Sequence, residues 1–257
     1  MAEAFRISID QLDREPYMSI ICYPRPSEQE FRTRLEELRK LDITELQFKG
    51  EKEVFNTPVL GKGYVGVVVI AVRDDRKEAL KIRRVDADRV QMQHEGEMLK
   101  RANSLYVGPK LLKVGENFLL MQFIDGLLLP AWLEINRERK QAANLLREVL
   151  EQCWRLDKAG LDHGELSHAP KHIIINRNGK PFIVDFESAS EDRRPSNVTS
   201  ICQFLFIGGA VAEEVAEILG RVDKETLIDA LRDYKKYGTR EGFKRVLEVC
   251  NISDNVS

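Results

Sequence analysis

Apolar positions change their spacing along this chain, alternating in short runs through its first half and repeating at helical intervals through most of its second. Met18–Cys22 reads as a first strand, and Ser27, with Glu30 three residues on, opens a helix as a capping box. Phe31, Leu35, Leu38 and Leu41 give that helix one apolar stripe, and Glu45–Phe48 follows as another short strand. The spacing then predicts strands over 67–72, 79–82 and 118–123, separated by a turn at Asp74-Asp75 and a helix over 88–103. The clearest helix is 137–159, where Ala142, Leu145, Leu146, Val149, Leu150, Cys153 and Trp154 recur at core-packing intervals and Gly160 stands as a C-cap. Ile173–Ile175 and Pro181–Val184 form a hairpin around turn residues Asn176–Gly179. Residues 188–195 are short and polar, with Arg193 and Arg194. Helices over 196–219 (broken near Gly208-Gly209), 224–235 and 239–250 complete the pattern, with Ser253–Ser257 expected to fray.

Composition narrows the setting. The chain has 257 residues, enough for one large or two small domains with a real core. Charged residues make up 32% but the net charge is −2, so no global basic field points to nucleic acid or a membrane surface. The longest apolar run, Val65–Val72, is far short of a membrane span, and charges interrupt every apolar segment near the N-terminus, unlike a signal peptide. Cys22, Cys153, Cys202 and Cys250 are widely separated and lack CxxC spacing, as expected of reduced core residues in a cytoplasmic protein.

Candidate chemistry concentrates in residues 160–187. His172 immediately precedes the first strand of the hairpin and Asp185 immediately follows the second, so antiparallel pairing makes them neighbours. His163-Gly164-Glu165-Leu166 leads into a Pro-broken polar loop that carries Glu165 toward the same volume. A carboxylate base beside a metal-ligating pair suits phosphoryl transfer, which is mostly positioning and charge neutralisation. Upstream, Gly61, Gly63 and Gly66 form a GxGxxG that runs into a strand, where a dinucleotide fingerprint would open a helix. Such a loop lets backbone N–H groups approach phosphates. Lys81 stands among apolar neighbours, and a buried ammonium needs a partner. Glu95 shares a helical face with Met98, Leu99 and Ala102, so it is the expected partner, holding Lys81 toward α- and β-phosphates. Main-chain groups around Gln122 and Ile124 are placed to pair with an adenine edge.

The order of these parts resembles the protein-kinase-like fold, in particular its small atypical members of the RIO and related archaeal type. The resemblance spans residues 55 to about 220. It implies an α+β, two-lobed fold, with a β-rich lobe over 51–125 and a reduced helical lobe over 126–257, while residues 1–50, outside it, read from their own pattern as a β-α-β appendage. It also implies ATP as co-substrate, Gly61, Gly63 and Gly66 over the nucleotide, Glu165 at the catalytic base and Asp185 on magnesium. Three positions depart from the family pattern. Glu165 stands where Asp is usual, with two extra loop residues after it. His172 stands where a metal-binding Asn is expected, which favours manganese or leaves Asp185 and water to hold the ion. Glu187 replaces Gly after Phe186, an ending also seen in choline-type kinases. Within the longer loop Lys171 is positioned to neutralise the γ-phosphate. A protein serine/threonine kinase, a small-molecule kinase and a nucleotide-binding pseudokinase all remain open, and the phosphoacceptor is not identified.

Overall fold

The computed structural model describes residues 5–253, so the expected fraying of 254–257 lies outside the described residues. By contact the chain divides into two units. One comprises the residues up to Lys100 with Pro109–Phe123, the other Arg101–Gly108 with the residues from Ile124 onward.

The first unit is built on an antiparallel sheet. Its elements are β1 (Phe5–Ser8), α1 (Tyr17–Ile21), α2 (Glu28–Lys40), β2 (Glu45–Phe48), β3 (Lys52–Val54), β4 (Thr57–Val59), β5 (Gly61–Lys62), β6 (Gly66–Arg73), β7 (Arg76–Arg83), α3 (Arg89–Ser104), β8 (Leu111–Val114) and β9 (Phe118–Gln122). The main sheet runs β1-β2-β6-β7-β9-β8, with β5 paired to β6, while β3 and β4 form a separate hairpin. Asp74 and Asp75, at φ 48° and 58°, close the β6–β7 hairpin, with Arg73 opposite Arg76. Left-handed backbone at both central residues is the two-residue turn that matches strand twist, and Asp tolerates it.

Alternation along the strands sorts their side chains between two cores. Val67, Val69, Ala71, Leu80, Ile82, Phe118 and Leu120 pack with Ile20, Ile21, Phe31, Leu38 and Leu46, so α1 and α2 cover one face of the sheet. Leu119 belongs to the other core, with Val65 and Met92 of α3. The N-terminal segment is thus a layer of this unit whose strand β2 joins the sheet through β6.

Two sequence expectations fail here. Met18–Cys22 is not a strand. Residues 17–21 form one helical turn that buries Ser19, Ile20 and Ile21, and the first strand lies at Phe5–Ser8; an apolar run this short fits either period. Likewise the strand over 118–123, which by its order in the chain reads as an edge strand leading into a hinge, is β9 and is paired on both sides, by β7 and β8. The buried face of α2 also contains a charge. Arg34 is fully buried, donating from Nη1 to the carbonyls of Ile21 (2.7 Å) and Arg83 (2.5 Å) and from Nε to Glu30 (2.7 Å). Those carbonyls would otherwise be orphaned in the core, which is what makes a buried guanidinium tolerable.

The second unit holds β10 (Gly126–Leu128), α4 (Leu129–Ile135), α5 (Arg139–Lys158), β11 (Ile173–Asn176), β12 (Pro181–Ile183), α6 (Asn197–Cys202), a π-turn (Gln203–Ile207), α7 (Ala210–Leu219), α8 (Lys224–Tyr237) and α9 (Arg240–Val249). The buried stripe of α5 follows its spacing from Ala142 through Cys153 and on to Leu156, while Trp154, expected in it, is only partly buried. Each large aliphatic there contributes roughly 1.5–3 kcal/mol by burial. Gly160, at φ 79°, terminates it, with the Leu161 N–H returning to the Leu156 carbonyl. The expected hairpin is present as β11–β12, with Ile173 opposite Ile183, and β10 adds a third strand. No helix among the described residues is long and apolar enough to cross a membrane.

Candidate active site

In the first unit the glycine loop is a closed hairpin turn. The Gly63 N–H donates to the Gly66 carbonyl at 2.8 Å, and the Tyr64 side chain between them is 92% exposed. A Cβ on Gly66 would stand 2.7 Å from the Ile82 carbonyl and 3.0 Å from Cγ of Lys81, so glycine lets β6 lie this close to β7. Lys81 lies opposite Leu119, on the α3 side of the sheet. Its Nζ donates to Oε2 of Glu95 at 2.6 Å, and both residues are buried. Met98, Leu99 and Ala102 share the buried face of α3 with Glu95, while Glu97 is exposed. The Gln122 N–H is used within the sheet, donating to the Lys110 carbonyl at 2.8 Å.

In the second unit the hairpin ends and the preceding loop gather Glu165, His172 and Asp185. Nε2 of His172 lies 3.0 Å from Oε2 of Glu165, and its Nδ1 lies 3.8 Å from Oδ2 of Asp185. The first approach is short but off the line of a ring N–H, so neither ring nitrogen makes a well-formed hydrogen bond among the described residues. The contact is electrostatic. Burial lowers the pKa of His172 from its ordinary value, and the Asp185 charge opposes that only in part. The two carboxylates remain accessible, at 39% for Glu165 and 34% for Asp185, whereas His172 is 1% exposed. Asp185 has φ 70°. A non-glycine residue held in the left-handed region between a strand and a loop is the kind of strain that clusters at functional sites.

The loop after Glu165 forms a 3-10 turn over Leu166–His168 and a second turn in which the His172 N–H reaches the Ala169 carbonyl. Leu166 and Ala169 are buried and anchor it. Lys171 is exposed on this loop.

Several supporting residues were not singled out from sequence. Ser188 donates its hydroxyl to Oε1 of Glu165 at 2.5 Å. Arg193 donates from Nε to Asp162 and from Nη2 to the Ser188 carbonyl. Gly164, at φ 91°, lies where a Cβ would meet the Ser188 carbonyl at 2.7 Å. Below them Asn197 accepts the His163 N–H, while its own amide donates to Asp157 and the Leu161 carbonyl. His163 is fully buried, its ring 5.0 Å edge-on from Phe186. Because a carbonyl only accepts, Nε2 must carry the proton it gives to Val184 at 3.1 Å. That bond fixes the backbone next to Asp185.

Burial lowers the His163 pKa from 6.5 to about 4. The unfolded chain therefore takes up this proton near pH 6.5 while the folded chain resists it. Stability conferred by the neutral ring is full above that pH and is lost as pH falls toward 4, a decrease of about 3 kcal/mol. Urea unfolding at pH 7 and at successively lower pH is expected to show this loss. His163→Asn, whose amide donates without titrating, should have a flatter slope, and identical slopes for the two proteins would refute the assignment.

Residues 70–201, just over half of the chain, match the RIO domain. The chain belongs to the RIO-domain family. Members are atypical protein-kinase-like, ATP-dependent phosphotransferases, and the α+β architecture described above agrees with that fold. The matched range of this RIO protein contains Lys81, Glu95, Glu165, His172 and Asp185 and begins after the glycine loop. It is also similar to an uncharacterised protein of Methanocaldococcus jannaschii, 28% identical over 118 residues that cover 45% of this chain and 99% of the relative.

Proposed function

We propose that this RIO protein transfers the γ-phosphate of ATP to a serine or threonine hydroxyl of a protein. The observation that carries the reading is the Glu165–His172–Asp185 cluster, with Asp185 held in a left-handed backbone at the end of β12. Glu165 takes the proton from the attacking hydroxyl, whose oxygen bonds the γ-phosphorus as ADP leaves. Ser188 keeps Glu165 aimed. Lys81, held by Glu95, binds the α- and β-phosphates, and Lys171 approaches the γ-phosphate. Gly61, Gly63 and Gly66 cover the phosphates. The Ile124 N–H and the Gln122 carbonyl meet the adenine edge, since the Gln122 N–H is engaged by Lys110.

The donor set supports a divalent cation here. Among the described residues no group of three or more His, Cys, Asp or Glu encloses an ion. One carboxylate completed by phosphate and water oxygens is how magnesium is commonly held at phosphoryl-transfer sites. Asp185 would hold the ion, and His172 would add a nitrogen donor that suits manganese better. When bound, the cation neutralises charge on the phosphate oxygens. A reducing, cytoplasmic setting is supported by four free, buried cysteines.

A metabolite hydroxyl is the second reading. It is favoured by the short segment after Asp185, which is tied down by the Ser190–Asp162 bridge and the Arg193–Asp162 ion pair. Radiolabelled ATP with magnesium or manganese separates the two. Label on protein serine or threonine is expected, and turnover only with small alcohols would replace the first reading with the second.

A further inference from the structure

A second cleft lies in the helical unit, lined by none of Glu165, His172 and Asp185. The end of α5, the segment leading into α6 and the last turn of α8 enclose a cleft of about 220 Å³. That is far above the roughly 10–15 Å³ needed for a single water. Lys158, Arg194, Lys235 and Lys236 line it, against one carboxylate, Asp157. Asp157 is already engaged by the Tyr234 hydroxyl, the Asn197 amide and the Val198 N–H.

The four cations stand out from their surroundings. On the neighbouring helices Arg232, Arg240 and Arg245 each meet a carboxylate, at 3.1, 2.7 and 3.2 Å. Among the described residues none of the four in the cleft does; Arg194 donates instead to the Lys235 carbonyl. Concentrated, uncompensated positive charge repels itself unless an anion supplies the balance. The Thr199 hydroxyl, also in the lining, is buried without a hydrogen-bond partner among the described residues, a state that calls for an explanation. Tyr237, 63% exposed, adds an aromatic wall whose ring centre lies 4.8 Å from Nζ of Lys236, a side chain enriched where proteins dock.

We propose that this cleft docks an acidic segment of a protein, its carboxylate or phosphate oxygens meeting the lysines and the Thr199 hydroxyl. The spread of cations over three elements suits several acidic side chains along an extended chain better than one small anion. The cleft is also linked along the chain to the loop that carries Glu165. Arg194 follows Arg193, which holds the carbonyl of Ser188, the residue that orients Glu165. The docked protein is therefore the phosphoacceptor; that step rests on the kinase reading, whereas the docking does not.

Fluorescence anisotropy with a dye-labelled Asp/Glu-rich peptide carrying one serine, without nucleotide, tests the docking. Lys235→Glu with Lys236→Glu should weaken binding about tenfold or more, and Lys235→Gln with Lys236→Gln by an intermediate factor. Lys77→Glu with Lys113→Glu, exposed positions in the other unit, imposes the same change in net charge and should leave binding intact. Thermal midpoints confirm that each variant is folded. Equal weakening by both glutamate pairs would overturn the proposal, as would tighter binding of an RNA of equal charge through the same lysines, or full displacement by millimolar inorganic phosphate. With the peptide as acceptor, the Lys235/Lys236 variants should raise KM without changing kcat. Peptide binding in a protein that releases no ADP would reject the kinase reading and leave the docking site standing.

Discussion

Asp185→Asn is expected to leave the protein folded while lowering ADP production by on the order of a hundredfold or more. The Asp185 side chain is about one-third exposed, so removing its charge does not relieve or create a buried charge. Asn tolerates the left-handed backbone nearly as well as Asp, so φ 70° is kept. What disappears, on the proposed assignment, is the charge that would hold a cation beside the phosphates. Asp185→Ala loses the same carboxylate and also the short polar side chain whose local hydrogen bonding lets Asp and Asn adopt the left-handed region, which should cost up to about 1–2 kcal/mol. The two variants should therefore be equally inactive but differ in melting temperature. An ADP-release assay with magnesium and with manganese, paired with thermal unfolding, reads both effects. Wild-type ADP production by Asp185→Asn would remove the assignment of Asp185.

The two pairings nearest to chemistry were legible in sequence because each depends on a short-range period. Strand alternation sends Lys81 to the face opposite Leu80 and Ile82, and helical spacing places Glu95 in line with Met98, Leu99 and Ala102. A hairpin likewise brings its two ends together, which predicted His172 beside Asp185.

Contacts set by distant parts of the chain were not legible. Arg34 lies on the buried face of α2 because the carbonyls of Ile21 and Arg83, far away in sequence, need a donor. A charged residue between Phe31 and Leu38 reads as solvated until those carbonyls are known. Glu37 pairs with Asn117 at 2.8 Å, and Asn117 with Arg83 at 2.7 Å. Through these bonds α2, β7 and the turn before β9 form one polar seam, and no local pattern announces it. The hold of Ser188 on Glu165 is hidden for the same reason. It spans 23 positions and depends on Gly164 and Arg193 drawing the segment after Asp185 against the loop that carries Glu165.

The buried ion pair yields the second large effect. Lys81→Met and Glu95→Leu should each destabilise the first unit, by about 3–5 kcal/mol, because each leaves one buried charge without this partner. The double variant replaces both charges with apolar side chains of similar size. It should recover most of the lost stability, since a buried pair gains little net energy once desolvation is counted. Activity should not recover. Lys81→Met, alone or in the double variant, lacks the ammonium for the phosphates and should release ADP at no more than about a hundredth of the wild-type rate. Denaturant unfolding and ADP release on the four proteins complete a cycle in which stability returns and turnover does not. If the double variant were as unstable as the sum of its parts, the two charges would not be coupled as a pair. If it were active, Lys81 would not be the phosphate ligand. A folded, inactive double variant is the outcome that follows from a lysine kept in the core for its charge.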